Sequence, residues 1–227
     1  MGQLFRRIKK IFVVLFITQL IYIVVLKWIN PPITSTQFVS WIEGNGLKRD
    51  YISYNEMPKN AKLAAIASED QLFATHNGFD RKSIEKALKF NEEKKGEKVR
   101  GASTISQQVA KNVFLWQGRS WFRKGLEAYF TFMIELIWGK ERILEMYLNV
   151  SETGIGTFGI EAASQRYFQK PASQLTQNEA ARIMVNLPNP KKYKVNPPSA
   201  YVSKRANWVE RQIRNLEGDA EIKKLLK

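Results

Sequence analysis

Hydrophobic residues open the chain as one nearly unbroken block and afterwards recur at helical spacing. Residues 11–26 read IFVVLFITQLIYIVVL, in which only Thr18 and Gln19 are polar. This run is marginal in length for a membrane span and too long for most buried helices. Beyond it, apolar residues three and four positions apart predict helices, and no segment alternates as a strand would. The pattern predicts a mainly α-helical domain behind a single membrane helix.

The flanks of the apolar run decide between a retained anchor and a cleavable signal peptide, since both begin with a basic segment. No cleavage site of small residues follows the run; Lys27, Trp28 and two prolines do, which favours an anchor. Four basic residues precede the run, so we expect the N-terminus in the cytoplasm and the domain outside. The predicted segments are a cytoplasmic tail (1–10), a transmembrane helix (11–29), a stalk (30–50), a globular domain (51–218) and a C-terminal tail (219–227).

Local signals place helices within the globular domain. Pro58 suits the first turn of a helix that reaches about residue 73, and Ser103 and Ser120 suit the N-caps of two more. Thr176 with Glu179 forms a capping-box pattern. Further helices are predicted over 81–92, 140–149, 159–168 and from residue 199 to near residue 218, with a charged mobile loop over 92–100 and a flexible glycine-rich loop over 154–159.

The charge balance restricts the class of partner. The chain holds 36 basic and 21 acidic residues; the first thirty contribute five basic residues and no acidic one. The rest of the chain is therefore still strongly basic, which indicates an anionic partner such as a phosphorylated substrate, phospholipid head groups or nucleic acid. Because we expect the domain to face outward from the membrane, nucleic acid is not the expected partner. The chain has no cysteine, which excludes disulfides and thiolate metal sites.

Two glutamates stand where apolar residues are expected. Glu69 follows Ala65 and Ile66 and precedes Phe73 at helical spacing, so it lies on the apolar side of its helix. Desolvation there should raise the pKa of its carboxyl toward the range of a general base, unless Glu69 is a surface acid. Glu127 lies in the otherwise apolar segment 120–138, and it either pairs with Arg123 and Lys124 or faces Glu69 across a cleft.

A basic run surrounds two tryptophans between residues 111 and 124. The basic residues are Lys111, Arg119, Arg123 and Lys124. Such a run is either a solvated face, a clamp for a diphosphate, or a patch on anionic lipid. Because residues 113–122 also hold several large apolar side chains, we expect this segment to enter the membrane interface, unless both tryptophans fill the core beneath the helix that follows. His76, the only histidine, is expected to brace a turn near Gly78 rather than transfer a proton.

The motifs together resemble the peptidoglycan glycosyltransferase family, in its monofunctional membrane-anchored branch. A first motif, E-D-x-x-F-x-x-H-x-G-x-D, is matched over residues 69–80, and a second, G-[GA]-S-T-[IL]-[ST]-Q-Q-x-x-K-N, over residues 101–112. A third, R-K-x-x-E, ends at Glu127, and a fourth, I-L-E-x-Y-L-N, covers residues 143–149. A fifth block lies over residues 159–168, and the resemblance extends over about residues 45–215.

The resemblance implies a lysozyme-like helical fold at the outer face of a bacterial inner membrane. It implies polymerisation of lipid II into β-1,4 glycan, with Glu69 as the base and Glu127 as acid, metal-assisted stabiliser or orienting partner of the basic cluster. The implied substrate-binding residues are Asp70, Ser103, Gln107, Gln108, Lys111, Arg119, Arg123 and Lys124. The sequence requires no cofactor and shows no fixed metal ligands, although Mg²⁺ or Mn²⁺ at the diphosphate is compatible with it.

The implied partners are lipid II, nascent glycan, the inner membrane and other cell-wall synthesis proteins. Two other functions fit parts of the sequence. A muramidase or lytic transglycosylase on the same scaffold would cleave finished glycan, but it leaves the basic cluster without an anionic leaving group. A non-catalytic cationic module would bind lipid or wall polymer and would tolerate the loss of Glu69 and Glu127.

Overall fold

The computed structural model describes residues 2–94, 101–118, 120–190 and 192–227. The helices are α1 (Gly2–Val25), α2 (Ser35–Ile42), α3 (Lys59–Glu69), α4 (Arg81–Glu93), α5 (Ile105–Phe114), α6 (Trp121–Ile137), α7 (Lys140–Val150), α8 (Ile160–Phe168), α9 (Gln177–Asn186), α10 (Ala200–Leu216) and α11 (Ala220–Leu225), with a 3₁₀ turn at Ala172–Gln174. The predicted mainly α class is confirmed. Most of the predicted loop 92–100 lies outside the described residues.

A buried helix, α3, forms the centre of the domain. Its interior is rich in alanine, and Ala61, Ala64, Ala65 and Ala67 are all fully buried. Small side chains let α7, α9 and α10 pack closely around α3. Pro58 is the N-cap residue, just before the predicted position, and the helix ends at Glu69 rather than near residue 73. Glu69, the last residue of this buried helix, therefore lies at the edge of the core.

Capping interactions define several helix starts. The Ser120 hydroxyl accepts from the backbone N–H of Arg123 at the start of α6, and Thr176 with Glu179 forms a complete capping box before α9, so both predicted caps are confirmed. The predicted Ser103 cap is wrong. Thr104 caps α5 instead, because its hydroxyl accepts from Gln107 N over 3.2 Å while Gln107 Oε1 accepts from Thr104 N over 3.0 Å.

A three-stranded sheet, which the sequence does not predict, joins distant parts of the chain. β1 (Lys48–Arg49) pairs in parallel with β3 (Thr157–Phe158), which pairs antiparallel with β2 (Glu152–Gly154). The strands are too short to show alternation. The segment predicted as a flexible loop is thus a paired hairpin. At its tip Gly156 has φ +62, and a Cβ there would lie 2.0 Å from Asn45 O, so the close approach requires glycine.

The predicted stalk and C-terminal tail both need correction. Residues 30–50 contain α2 and β1; Thr34 and Gln37 are buried, and Gln37 Oε1 accepts from Arg49 Nη1 over 3.0 Å. Residues 219–227 contain α11, whose Ile222 and Leu225 are buried. Each segment therefore contributes a short helix with buried side chains to the domain.

Helix α1 differs from all other helices in its exposure. Between residues 3 and 25 it is long and apolar enough to cross a membrane, and only 6% of its most apolar window is buried. The buried part lies near its end, where Ile23 and Leu26 are fully enclosed by the domain. The helix begins at Gly2, within the segment predicted as a tail. An exposed apolar helix of this length is what a membrane anchor requires.

Candidate active site

Glu69 lines a cleft of about 900 Å³. Its carboxylate is partly buried; Oε2 accepts from Gln108 Nε2 over 2.9 Å, and Oε1 lies 3.4 Å from Ser68 Oγ. Burial raises the pKa of Glu69, and the hydrogen bonds from Gln108 and Ser68 and the charge of Arg205 offset part of that rise. The predicted desolvation of Glu69 is confirmed. A carboxylate with a raised pKa facing a large cleft is suited to general-base chemistry.

Asp70 supports the site from inside the core. It is 6% exposed, and its carboxylate accepts from His76 Nε2 over 2.9 Å and from Ile105 N over 3.0 Å. His76 Nδ1 accepts from Gly78 N over 3.1 Å, which leaves the proton on Nε2. His76 therefore braces the turn as expected. Asp70 joins the end of α3 to the start of α5 and also lines the cleft, so its predicted role as a substrate ligand stays a prediction.

The three polar residues predicted around the start of α5 have different positions. Ser103 is exposed and lines the cleft. Gln107 is 4% exposed and its side-chain oxygen is engaged in the capping box, so its predicted role in binding stays a prediction. Gln108 lines the cleft and also a second cavity of about 370 Å³. Gln108 is thus the boundary between the two spaces.

Lys111 lines the second cavity one turn beyond Gln108 on α5. Burial lowers the pKa of Lys111, and the nearby Arg123 and Lys124 add to that effect, whereas the carboxylates of Glu127 and Glu69 oppose it. Lys111 therefore lies within the electrostatic field of both glutamates. A partly desolvated lysine between cations is poised to bind an anion, because the anion would relieve both the burial and the repulsion.

Glu127 is buried and paired on both sides. It is 3% exposed; Oε2 accepts from Arg123 Nη1 over 3.0 Å, and Oε1 accepts from Lys124 Nζ. The predicted ion pair is confirmed, and both carboxylate oxygens are engaged in it. Arg123 Nε is buried without a partner among the described residues, which leaves one donor of the guanidinium unused. Arg119 lies outside the described residues.

Comparison with known proteins identifies the family. A family model described as Transglycosylase matches residues 35–214. The chain belongs to this family. It is therefore an enzyme of glycosyl transfer, and the match begins at α2, which agrees with the correction of the predicted stalk. The match also covers every predicted site residue.

Curated relatives match the transglycosylase over nearly its whole length. It is 46% identical to a biosynthetic peptidoglycan transglycosylase of Pseudomonas putida strain GB-1, over 98% of this chain and 96% of that protein. It is 46% identical to the protein of the same description from Pseudomonas aeruginosa PAO1, over 96% of this chain and 95% of that protein. The corresponding protein of Shewanella oneidensis MR-1 is 44% identical over 98% and 96%.

Helix α10 of the transglycosylase also lines the cleft, and the sequence did not predict this contribution. Tyr201, Arg205 and Trp208 line the cleft, and their spacing of four and three residues puts them on one helical face. The Arg205 guanidinium lies 3.7 Å from the centre of the Trp208 ring. The sequence signal was present as an aromatic–cation–aromatic stripe, but only the fold shows that this stripe faces Glu69.

Proposed function

We propose that this transglycosylase polymerises lipid II into β-1,4-linked peptidoglycan strands with inversion at MurNAc C1. The observation that carries the proposal is the pairing of two adjoining spaces. The cleft is lined by a desolvated carboxylate, Glu69, and the second cavity is lined by Lys111, whose ammonium lies in the field of the nearby cations Arg123 and Lys124. A glycosyl transfer from a diphosphate needs both a base for the acceptor hydroxyl and a cationic site for the leaving group.

The base acts in the large cleft. Glu69 removes the proton from the 4-hydroxyl of the acceptor GlcNAc, and the oxygen attacks C1 of the donor MurNAc. The bond between C1 and the phosphate oxygen breaks, and undecaprenyl diphosphate leaves with the bonding electrons. Gln108 holds the Glu69 carboxylate in place over 2.9 Å, so the base is oriented before substrate arrives.

The leaving group is stabilised in the second cavity. The diphosphate is a good leaving group, so charge stabilisation contributes more than a strong acid would. Lys111 supplies an ammonium group that lines this cavity, and nearby Arg123 and Lys124 add two cations that are held by ion pairs with Glu127. The family resemblance adds Arg119 to this set.

Glu127 serves this cluster as an orienting partner. Of the three roles left open by the sequence, this one is supported by the two ion pairs, since both carboxylate oxygens already accept from cations. A divalent ion, Mg²⁺ or Mn²⁺, would be held chiefly by the substrate's diphosphate, because the carboxylate nearest the basic cluster is occupied. The chain's own residues would then orient the anion rather than enclose the metal.

The membrane arrangement follows from the substrate. We propose a single-pass inner-membrane protein with its N-terminus in the cytoplasm and its catalytic domain in the periplasm, because lipid II presents its sugars there. Trp116, Trp121 and Phe122 are exposed, which supports an interfacial position for the start of α6. Phe114 and Leu115 are packed inside, so the expected interfacial segment is narrower than 113–122. Other wall-synthesis proteins are expected partners.

The decisive experiment incubates the full chain in liposomes with lipid II and resolves the products by size. Long glycan polymer with release of undecaprenyl diphosphate is the expected result. Cleavage of added finished glycan, with no polymer from lipid II, would instead identify a muramidase or lytic transglycosylase. Binding of vesicles or wall polymer with no turnover of either substrate would identify a cationic binding module.

A further inference from the structure

The end of the anchor helix is docked onto the domain along one face. Gln19, Ile23 and Leu26 are spaced by four and three residues, so they share a side of α1. Ile23 and Leu26 are 0% and 1% exposed, whereas most apolar residues earlier in α1 are exposed. The Tyr22 ring meets the Phe114 ring at the end of α5, with centres 6.1 Å apart.

Polar contacts secure this face at three levels. Tyr129 Oη donates to Gln19 Oε1 over 2.9 Å, and Trp138 Nε1 donates to Ile23 O over 2.8 Å. Arg142 donates from Nε and Nη2 to Leu26 O over 3.0 and 2.9 Å, and its Nη2 also donates to Ile29 O over 3.0 Å. The last carbonyls of a helix lack partners within it, so the domain supplies the cap of its own anchor.

These contacts fix both the axial position and the rotation of α1 relative to the domain. Gln19 and Leu26 are about 10 Å apart along the helix axis, since an α-helix rises about 1.5 Å per residue. Hydrogen bonds at both levels prevent α1 from sliding, and contacts confined to one face prevent it from rotating. Gln19 lies within the apolar run of α1, and inside the proposed membrane span a broken hydrogen bond cannot be replaced by water.

Further interactions connect this docked face to α3 and α5, the helices that carry Glu69, Gln108 and Lys111. Arg142 Nη1 donates to Glu145 over 2.7 Å, and Glu145 in turn lies in the field of Lys62 on α3. Lys62 is buried and its ammonium lies 3.5 Å from the centre of the Tyr54 ring. Lys62 precedes Glu69 by two turns of α3. On the other side, Phe114 ends the helix that carries Gln108 and Lys111.

We propose that the anchor lock, formed by Gln19, Tyr129, Trp138 and Arg142, sets the depth and rotation of the membrane helix relative to the cleft. The proposal rests on the proposed function, since a substrate whose tail stays in the bilayer presents its diphosphate at a fixed height. A site held at that height meets the diphosphate without reorganisation. The residues of the anchor lock are positioning residues, because none of them lines the cleft or the second cavity.

A double variant of the full chain tests the anchor lock by activity. Tyr129→Phe with Trp138→Phe removes two donors; the first change keeps the ring, whereas the second also replaces a buried indole by a smaller ring, so the fold must be controlled for. We expect a loss of roughly tenfold in the rate on lipid II in liposomes, because small misplacement of a site is costly. On a water-soluble lipid II analogue with a short prenyl chain, in detergent, the rate should change less than about twofold.

The control is Trp41→Phe, the same exchange at a tryptophan that is exposed on α2 and has no hydrogen bond to α1 in the part of the chain that the structure describes. It should leave both rates unchanged. An equal loss on the two substrates would show that the double variant damages the fold in general and would overturn the proposal. Full activity of the double variant in liposomes would overturn it as well.

A distance measurement tests the anchor lock without relying on turnover. The chain has no cysteine, so Arg214→Cys on the exposed side of α10 gives a single labelling site. Energy transfer from a fluorophore there to acceptor lipids reports the height of the domain above the bilayer. Adding Tyr129→Phe and Trp138→Phe should broaden or shift that height; an unchanged distribution would refute the anchor lock. Failure of the unaltered chain to make polymer would count against the proposed function alone.

Discussion

Gln108 Nε2 donates a hydrogen bond to Glu69 Oε2 over 2.9 Å and thereby joins α5 to the last residue of α3. The contact places a neutral donor, rather than a cation, against the proposed base. A neutral donor lowers the pKa of a carboxyl less than an ion pair would. Burial therefore stays the largest influence on Glu69, and its pKa remains raised.

The first prediction concerns Glu69 itself. Glu69→Gln keeps the size and polarity of the side chain but cannot accept the proton of the acceptor hydroxyl. We expect a loss of at least about 10²-fold in polymerisation rate, the usual scale for a positioned base, with lipid II binding retained. Initial rates and equilibrium binding to lipid II measure the two effects. Glu85→Gln, at an exposed position on α4, is the control; near-normal polymerisation by Glu69→Gln would contradict the assignment.

The second prediction concerns pH. A base acts when deprotonated, so a raised pKa of Glu69 places the acidic limb of kcat/KM above the ordinary range of glutamate. Gln108→Leu removes the hydrogen bond that lowers this pKa, and the limb should then move to still higher pH, with activity lost from the acidic side only. The pH–rate profiles of both proteins provide the measurement. A limb that stays in place or moves to lower pH would refute the role given to Gln108.

The third prediction separates the roles of Glu127. Glu127→Gln removes the partner of the buried Arg123, and breaking a buried ion pair costs roughly 3–5 kcal/mol. We expect a clear fall in melting temperature together with a severe loss of polymerisation. Lys124→Met should cost little stability, because 43% of the Lys124 side chain is exposed, yet should weaken binding of the diphosphate. A stable and active Glu127→Gln protein would exclude the orienting role.

Local sequence signals predicted those features whose partners are near in the chain. The Ser120 cap and the Thr176–Glu179 box need only three residues of context, and both form as predicted. The N-cap of α5 shows where local signals are insufficient, because Ser103 and Thr104 both carry a suitable hydroxyl. Gln107, three residues after Thr104, completes a capping box with Thr104 and so decides between them.

Features made by distant partners could not be read from the sequence. The β1–β3 pairing joins residues more than a hundred positions apart, and each strand is too short to carry a pattern. Arg205 reaches the cleft only because α10 packs beside α3. The contacts of Asp70 with His76 and with Ile105 N are a further example, since these partners meet only when the end of α3 packs against the start of α5.

The fourth prediction concerns topology. Four basic residues precede the apolar run and one follows it, so a reporter fused after Lys227 should report from the periplasm. Contacts of Ile23 and Leu26 with the domain further argue that the helix is retained, because its removal would expose Trp138 and Arg142. A cytoplasmic signal from the reporter, or a mature N-terminus that begins after Lys27, would contradict the retained anchor.

The last prediction concerns the membrane contact at the start of α6. Trp121 is 92% exposed and Phe122 72%, an arrangement that water disfavours and a bilayer interface accommodates. Tyr129 contacts Gln19, and Trp138, which lies after it, contacts Ile23, which also lies after Gln19. Helices α6 and α1 therefore run in the same general direction. The start of α6 is therefore directed toward the bilayer if α1 spans it.

An environment-sensitive fluorophore on Trp121→Cys measures this contact directly, because the chain has no other cysteine. In liposomes its emission should shift to the blue and be quenched by lipids that carry a nitroxide near the head group. The same fluorophore on Arg214→Cys, at an exposed position of α10, should show neither effect. If both probes report water, residues 121 and 122 lie outside the interface, and the lipid tail of the substrate must approach Lys111 along another surface.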